Sequence, residues 1–140
     1  FDYLFAITMV AQPLAWFEGS GLPKEAFPVS ESINKYKQVM NDLHSGIILP
    51  VGDEPSGKGW TGFQSQKRGS NKGYVLIFRE QNNCKTSKFD LPMLSSGTYR
   101  FERIIGCGKS FRAACKESHQ IVFSIDQPNN FVLYRYYKVK

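Results

Sequence analysis

The sequence has few of the residues that build metal centres and disulfide frameworks, with three cysteines and two histidines among 140 residues. Cys84, Cys107 and Cys115 match neither a zinc-site spacing nor a C-x-x-C motif, and their odd number argues against a full disulfide framework. A Cys107–Cys115 bridge across a short turn stays open as an alternative, but free thiols are the favoured interpretation. His44 and His119 have no Cys, Asp or Glu at ligand spacing, so we expect structural roles for both and neither metal nor cofactor.

Long hydrophobic runs are also missing, so no segment is expected to span a membrane. The apolar opening FDYLFAITMVAQPLAWF is interrupted by Asp2, Gln12 and Pro13 and lacks a basic front end, which makes it a poor signal peptide. The sequence begins with Phe1 rather than Met, which suggests a piece of a longer protein. Because 41% of the residues are hydrophobic and 14% are aromatic, we expect a folded globular domain.

The net charge of +6 is distributed unevenly along the chain. Residues 1–54 carry three lysines and seven acids (3 − 7 = −4), whereas residues 55–140 carry fifteen Lys and Arg and five acids (15 − 5 = +10). A basic half can bind nucleic acid or an anionic substrate. These cations are scattered, however, and the run KRGSNK (67–72) has the composition of a turn. We interpret them as the solvated faces of strands and expect no nucleic-acid partner.

Hydrophobic periodicity predicts two helices at the start of the chain. The first covers Phe1 to about Phe17 and is apolar nearly all round, which indicates burial against more than one neighbour. Pro13 should bend or end its regular part. The second should begin near Ser30, a good N-cap residue, and Gly46 provides its natural C-terminal stop.

After Gly46 the pattern changes to short segments rich in β-branched and aromatic residues, separated by clusters of Gly, Asn, Pro and Ser. No helical pattern lies between them, so the strands should be antiparallel. The sequence therefore predicts a mainly-β fold: an antiparallel β-sandwich of about seven to eight strands, preceded by two α-helices. The domain division is a helical segment at 1–46 and a β-sandwich at 47–140. The predicted strands are 47–51, 60–65, 73–80, 87–92, 98–105, 119–125 and 130–139.

The stretch VGDEPSGKGW (51–60) matches the first seven positions of the Walker A phosphate-binding motif. Gly59 then occupies the position where the motif needs Ser or Thr to hold magnesium, and a strand pattern follows in place of a helix. Asp53 and Glu54 bring negative charge to the loop, and Pro55 removes a backbone donor. We therefore predict a connection between two strands and no nucleotide site.

No carboxylate pair with the spacing of a catalytic site is evident. Asp53 and Glu54 are adjacent, so their side chains would not readily flank one bond, and turn-forming surface roles are favoured. Glu18 has no visible partner. Arg79 and Glu80 end a strand and are expected to pair with other strands.

Trp60 is the one candidate ligand-binding residue, because it begins a strand beside a Gly-rich loop. Exposed aromatic rings stack on sugars, but most aromatic residues of a small sandwich are buried in its core. Carbohydrate binding through Trp60 and nearby tyrosines is therefore one hypothesis, and packing of Trp60 in the core or between domains is the favoured alternative.

Four stretches resemble the C-terminal region of α-galactosidase-like (melibiase-type) glycoside hydrolases. The resemblance covers about residues 4 to 137, and EPSG followed by WTGFQS is its most distinctive part. The stretches are QPLAWFEGSGL (12–22), LPVGDEPSGKGWTGFQS (49–65), GYVLIFRE (73–80) and FVLYRYY (131–137).

The resemblance implies that residues 1–46 form the end of a (β/α)₈ barrel and that residues 47–140 form the all-β domain that follows it. It also implies a retaining mechanism whose two carboxylates lie at barrel strand ends. No motif that carries either carboxylate matches a position in this chain, so no catalytic residue is assigned. The implied function is a non-catalytic domain that packs on the barrel of the same parent chain and stabilises it. The alternative is a carbohydrate-binding module.

Overall fold

The computed structural model describes residues 1–13 and 21–139. Two helices come first: α1 (Asp2–Thr8), which continues into a 3₁₀ turn at Met9–Ala11, and α2 (Val29–His44), which follows a 3₁₀ turn at Lys24–Ala26. None of the described helices is both long and apolar enough to cross a membrane. The strands are β1 (Ile47–Gly52), β2 (Trp60–Gln66), β3 (Lys72–Arg79), β4 (Thr86–Asp90), β5 (Gly97–Gly106), β6 (Phe111–Cys115), β7 (Gln120–Ser124) and β8 (Asn130–Lys138).

The strands form two antiparallel sheets, one of six strands in the order β1-β2-β3-β8-β5-β6 and one of two strands, β4 and β7. Every neighbouring pair is antiparallel. The structure therefore confirms the predicted fold class, a mainly-β, sandwich-like fold preceded by two helices. The change from helix to strand also falls at Gly46, where the sequence places it.

Alternation along the central strands divides the molecule into three layers. On β3, Tyr74, Leu76 and Phe78 face the helices, whereas Val75 and Ile77 face the two-stranded sheet. The six-stranded sheet is thus covered by helices on one face and by β4 and β7 on the other.

Each face has its own apolar core. The helix-side core consists of Ala6, Met9, Tyr36, Val39, Leu43, Tyr74, Leu76, Phe78, Ile105, Phe131 and Leu133. The sandwich-side core consists of Val51, Trp60, Val75, Ile77, Phe89, Leu91, Leu94, Tyr99, Phe101, Cys115, Ile121, Phe123, Ile125, Val132, Tyr134 and Tyr136.

The helix ends agree with the prediction in place but differ from it in detail. Helix α2 begins at Val29, one residue from the predicted start near Ser30, but its N-cap is Pro28 and no side chain caps it, so the expected cap at Ser30 is wrong. Regular α-helix in the first segment ends at Thr8, and Gln12 has a left-handed φ of 54°. Helical conformation thus stops just before Pro13, as expected of this proline, because a residue that precedes proline is disfavoured in the α-helical region. The rest of the predicted helix, to Phe17, lies outside the described residues.

Strand β6 was not predicted, and it forms one edge of the six-stranded sheet. Its sequence FRAAC contains two alanines, which are depleted in strands, so its local signal is weak. Pairing with β5 stabilises it, and the rings of Phe101 and Phe111 stack 4.8 Å apart and nearly parallel. A tertiary contact therefore decides the conformation of this segment.

Candidate functional site

The Walker-like stretch is the connection between β1 and β2, as predicted. Strand β1 ends at Gly52 and β2 begins directly at Trp60, so no helix N-terminus points at the loop. Gly52 and Gly57 both have positive φ values, of 82° and 80°, which glycine adopts at little cost. A side chain at Gly52 would also collide with the Phe89 ring, so this glycine serves a tight turn over the core.

The backbone amides of this loop bind a carboxylate of the chain itself. Gly59 N–H donates to Oε2 of Glu80 at 2.8 Å, and Ser56 N–H donates to the same oxygen at 3.3 Å. Glu80 is buried at the end of β3, and its own amide donates to the Gly59 carbonyl. The expectation that Glu80 pairs with another strand is thus replaced by a structural role in closing the loop, which no local sequence signal indicates.

Arg79 and Asp53 also have structural partners. The Arg79 guanidinium is buried and donates to the carbonyls of Ile125, at 2.8 Å from Nη1, and of Asn82, at 2.6 Å from Nη2. Oδ2 of Asp53 accepts a hydrogen bond from Trp60 N–H at 3.0 Å, while Glu54 is exposed. Asp53 therefore shapes the loop, in agreement with the turn-forming role favoured from the sequence.

Trp60 is not an exposed stacking platform. Its side chain is only 2% exposed, and its ring packs edge-to-face on Phe89 with the centroids 6.3 Å apart. The indole Nε1–H donates to the carbonyl of Cys84 at 3.2 Å. The exposure that sugar stacking on Trp60 would need is therefore absent, because the β4–β7 sheet covers this end of β2. The alternative that the sequence favoured, packing in the core, is the one observed.

The histidines and cysteines lie apart from one another. Nε2 of His44 is 2.9 Å from both the hydroxyl of Tyr36 and the carbonyl of Met9, which ties α2 to the first segment. His119 precedes β7 in a left-handed conformation with a φ of 53°. All three cysteines are free. Within residues 1–13 and 21–139, no group of three or more His, Cys, Asp or Glu side chains could hold a metal ion.

An open groove of about 560 Å³ lies on the sandwich side, between the β5–β6 turn and strand β7. The sequence does not predict this groove, because its wall residue Phe111 belongs to β6, the strand that was not predicted. Phe111 is half-buried and stacks on the buried ring of Phe101. The groove lining also includes Arg103, Lys109, Val122, Ser124, Asp126, Gln127, Asn130 and Tyr134.

The chemistry of this groove suits binding better than catalysis. Burial raises the pKa of Tyr134 to about 12, and its hydroxyl donates to the Lys109 carbonyl at 3.1 Å, so it stays neutral and bonded. Asp126 is the one carboxylate among the described lining residues, so the lining contains no acid/base pair. An apolar wall with a few polar groups at its rim is typical of small-molecule sites.

A second surface of interest is the outer face of the first segment. Leu4 is 64% exposed, and Phe1 and Ile7 are each more than half exposed, whereas Ala6 and Met9 on the opposite side of the segment are fully buried. The three exposed residues recur every third position, so they lie on one side of α1. Large apolar residues grouped in this way are typical of surfaces that bind another body.

Comparison with known proteins adds no family to these observations. No family model, no curated protein and no solved structure matches the chain.

Proposed function

We propose that this chain is the non-catalytic C-terminal β domain of a larger, α-galactosidase-like glycoside hydrolase, in which it packs on the catalytic barrel and stabilises it. The observation that carries the proposal is the exposed apolar face of α1, formed by Phe1, Leu4 and Ile7. The quoted resemblance to melibiase-type enzymes supports the identity of the body that would cover this face.

The exposed face supports docking because its burial would be favourable. Fully burying one Leu, Ile or Phe side chain contributes about 1.5–3 kcal/mol relative to full exposure. Phe1, Leu4 and Ile7 each retain more than half of their exposure in this structure, so much of that free energy is still to be gained. A neighbouring helix or sheet that packs against α1 would gain it.

The roles of the bonded carboxylates support a non-catalytic domain. Glu80 closes the β1–β2 loop, and Glu102 accepts hydrogen bonds from Arg135 and Tyr137. Asp42 accepts from Lys67 and from the Tyr74 hydroxyl. A retaining mechanism needs two carboxyl groups free to reach one sugar, and these three are held in structural contacts.

The proposal can be tested with aryl α-galactosides and with the coding sequence upstream of Phe1. We expect no turnover by the 140-residue chain, eight strand–helix units encoded upstream, and turnover by the longer protein that contains both. Removal of residues 47–139 from that longer protein should lower its melting temperature. Turnover by the 140-residue chain alone, or an upstream sequence without a barrel, would overturn the proposal.

The groove beside Phe111 favours a second candidate function, binding of a neutral oligosaccharide. An aromatic wall and an amide-rich rim offer a stacking face and hydrogen bonds, as sugars require. Titration with galacto-oligosaccharides should shift the backbone NMR signals of Val122, Gln127 and Asn130 while those of β1 stay unchanged. Gln127→Ala should weaken these shifts, because Gln127 is an exposed rim residue. Shifts spread over the whole domain, or none at all, would remove this candidate.

A further inference from the structure

The described helices, α1 and α2, do not cover one end of the six-stranded sheet, and this end is basic. On β3 and β8 the positions that face the helices continue past the helix-side core to Lys72, Arg135 and Tyr137. Lys72 and Arg135 are exposed, and Tyr137 is half-exposed. We define the basic patch as Lys72, Arg100, Glu102, Arg112, Arg135 and Tyr137.

Strand register aligns members of the patch in one row across four strands. Lys72 lies opposite Tyr137, Tyr137 lies opposite Arg100, and Arg100 lies opposite Arg112. Directly opposite residues share one face of a sheet, and neighbouring strands are about 4.8 Å apart. The row therefore extends across three such spacings, or about 14 Å. With Arg135 in the adjacent row, the patch carries four cations and one carboxylate, a net charge of 4 − 1 = +3.

The carboxylate of Glu102 orders the middle of the patch. It accepts hydrogen bonds from Arg135 Nη2 at 2.9 Å and from the Tyr137 hydroxyl at 2.8 Å, and Arg100 Nε lies 3.4 Å away. The hydrogen bond from Arg135 is the main reason that the pKa of Glu102 lies below its usual range. Arg100 and Arg135 each use one nitrogen in this network, and their side chains are 37% and 50% exposed, so further donors remain available to a ligand.

The outer cations of the row are not held by a carboxylate at ion-pair distance within the described part of the chain. Lys72 and Arg112 form no ion pair there, and both are exposed. The Asp42 carboxylate lies close enough to Lys72 for their charges to attract, but it is itself hydrogen-bonded to Lys67, so this face keeps a net positive field. The field favours an extended anionic ligand over a single small ion, because its charges are spread along the row.

We propose that the basic patch binds a polysaccharide that carries a carboxylate on its sugar units. Planar guanidinium groups bind carboxylates in a bidentate manner, and the patch presents three of them. The half-exposed ring of Tyr137 lies between Lys72 and Arg100, where it can contact the apolar face of a sugar. Single-stranded nucleic acid fits less well, because its binding relies on a succession of exposed rings. Tyr74, on the neighbouring strand β3, is buried, so Tyr137 has no second exposed ring beside it on that strand.

This inference does not depend on the proposed packing against a barrel. It is tested by measuring the affinity of the 140-residue chain for immobilised polygalacturonate at low salt, with neutral dextran in parallel. We expect binding to polygalacturonate alone, weakening as salt is added. Lys72→Gln combined with Arg112→Gln should reduce the affinity by about tenfold, because it removes the two unpaired cations.

A matched control separates the patch from the overall charge of the protein. Lys85→Gln combined with Lys88→Gln removes the same charge from exposed positions at and beside β4, on the opposite side of the sheet. This variant should bind polygalacturonate like the unaltered chain, and melting temperatures should show that both variants are folded. Equal losses in the two double variants, or no binding by the unaltered chain, would overturn the proposal. Tighter binding of a single-stranded oligonucleotide than of polygalacturonate would overturn the assignment of the ligand.

Discussion

The two faces of the six-stranded sheet are covered by the rest of the chain to different degrees. The sandwich-side core is closed by β4 and β7, and its aromatic rings pack mainly on one another. The helix-side core is covered by a seven-residue helix and by α2, and its outer surface exposes Leu4 and Ile7. One face is thus complete within the described residues, and the other presents apolar surface at α1 and uncovered cations at the far end.

This difference is possible because side chains along each strand alternate between the two faces of the sheet. The same strands bury Val75 and Ile77 against a second sheet and Leu76 and Phe78 against helices. Stability therefore has a largely internal source on the sandwich side, whereas the helix side is where contact with another body would add to it. Substitutions in the two cores should separate these contributions.

The largest effect is expected for Phe101→Ala in the sandwich-side core. Phe101 is fully buried and contacts the rings of Phe111, Phe123, Tyr134 and Tyr136. Loss of these contacts and the cavity left behind should lower the free energy of unfolding by about 3–5 kcal/mol. Urea denaturation measures this change. A decrease in the free energy of unfolding of less than about 1 kcal/mol would show that neighbouring side chains move in to fill the cavity.

A smaller effect is expected for Tyr36→Phe in the helix-side core. The buried Tyr36 hydroxyl donates to the Met9 carbonyl at 2.6 Å and lies 2.9 Å from His44 Nε2. Its removal should cost about 1–2 kcal/mol, since the carbonyl keeps only its contact with His44. Amide exchange should accelerate in α1 and leave β7 unchanged. Acceleration in both would show that the two cores unfold as one unit.

The smallest effect is expected from pH, at the junction of α2 with β2 and β3. A hydrogen bond from Lys67 holds the pKa of Asp42 below its usual range, aided by the Tyr74 hydroxyl. The stabilisation is therefore present above the unfolded pKa, about 3.9, and is lost as the pH falls through the lower folded value. Because both side chains are about half exposed, the contribution should be about 0.2–0.5 kcal/mol.

The Asp42→Asn variant provides the control for this pH dependence. Its free energy of unfolding should fall less between pH 5 and pH 3 than that of the unaltered chain. The Asn side chain cannot take up a proton in this range, so the part of the slope that belongs to Asp42 disappears. If the free energy of unfolding falls equally with pH in the two proteins, the acid dependence belongs to other carboxylates.

The sequence predicts the fold class well because alternation and turn residues act locally. It does not predict features that depend on which strands become neighbours. Trp60 is buried because β4 and β7 cover it, and Glu80 fills the loop because β3 ends beside it. The basic row is the clearest case, because Lys72 and Arg112 are far apart in the sequence and only pairing through β8 and β5 aligns them. Only the register brings such residues together.

The central proposal is that a catalytic barrel in a longer protein covers the exposed face of α1. Hydrogen–deuterium exchange of residues 2–11, compared between the 140-residue chain and that longer protein, tests it most directly. We predict fast exchange in the 140-residue chain and exchange at least about a hundredfold slower in the longer protein, with β3 and β8 protected in both. Equal exchange of residues 2–11 in the two proteins would contradict the account.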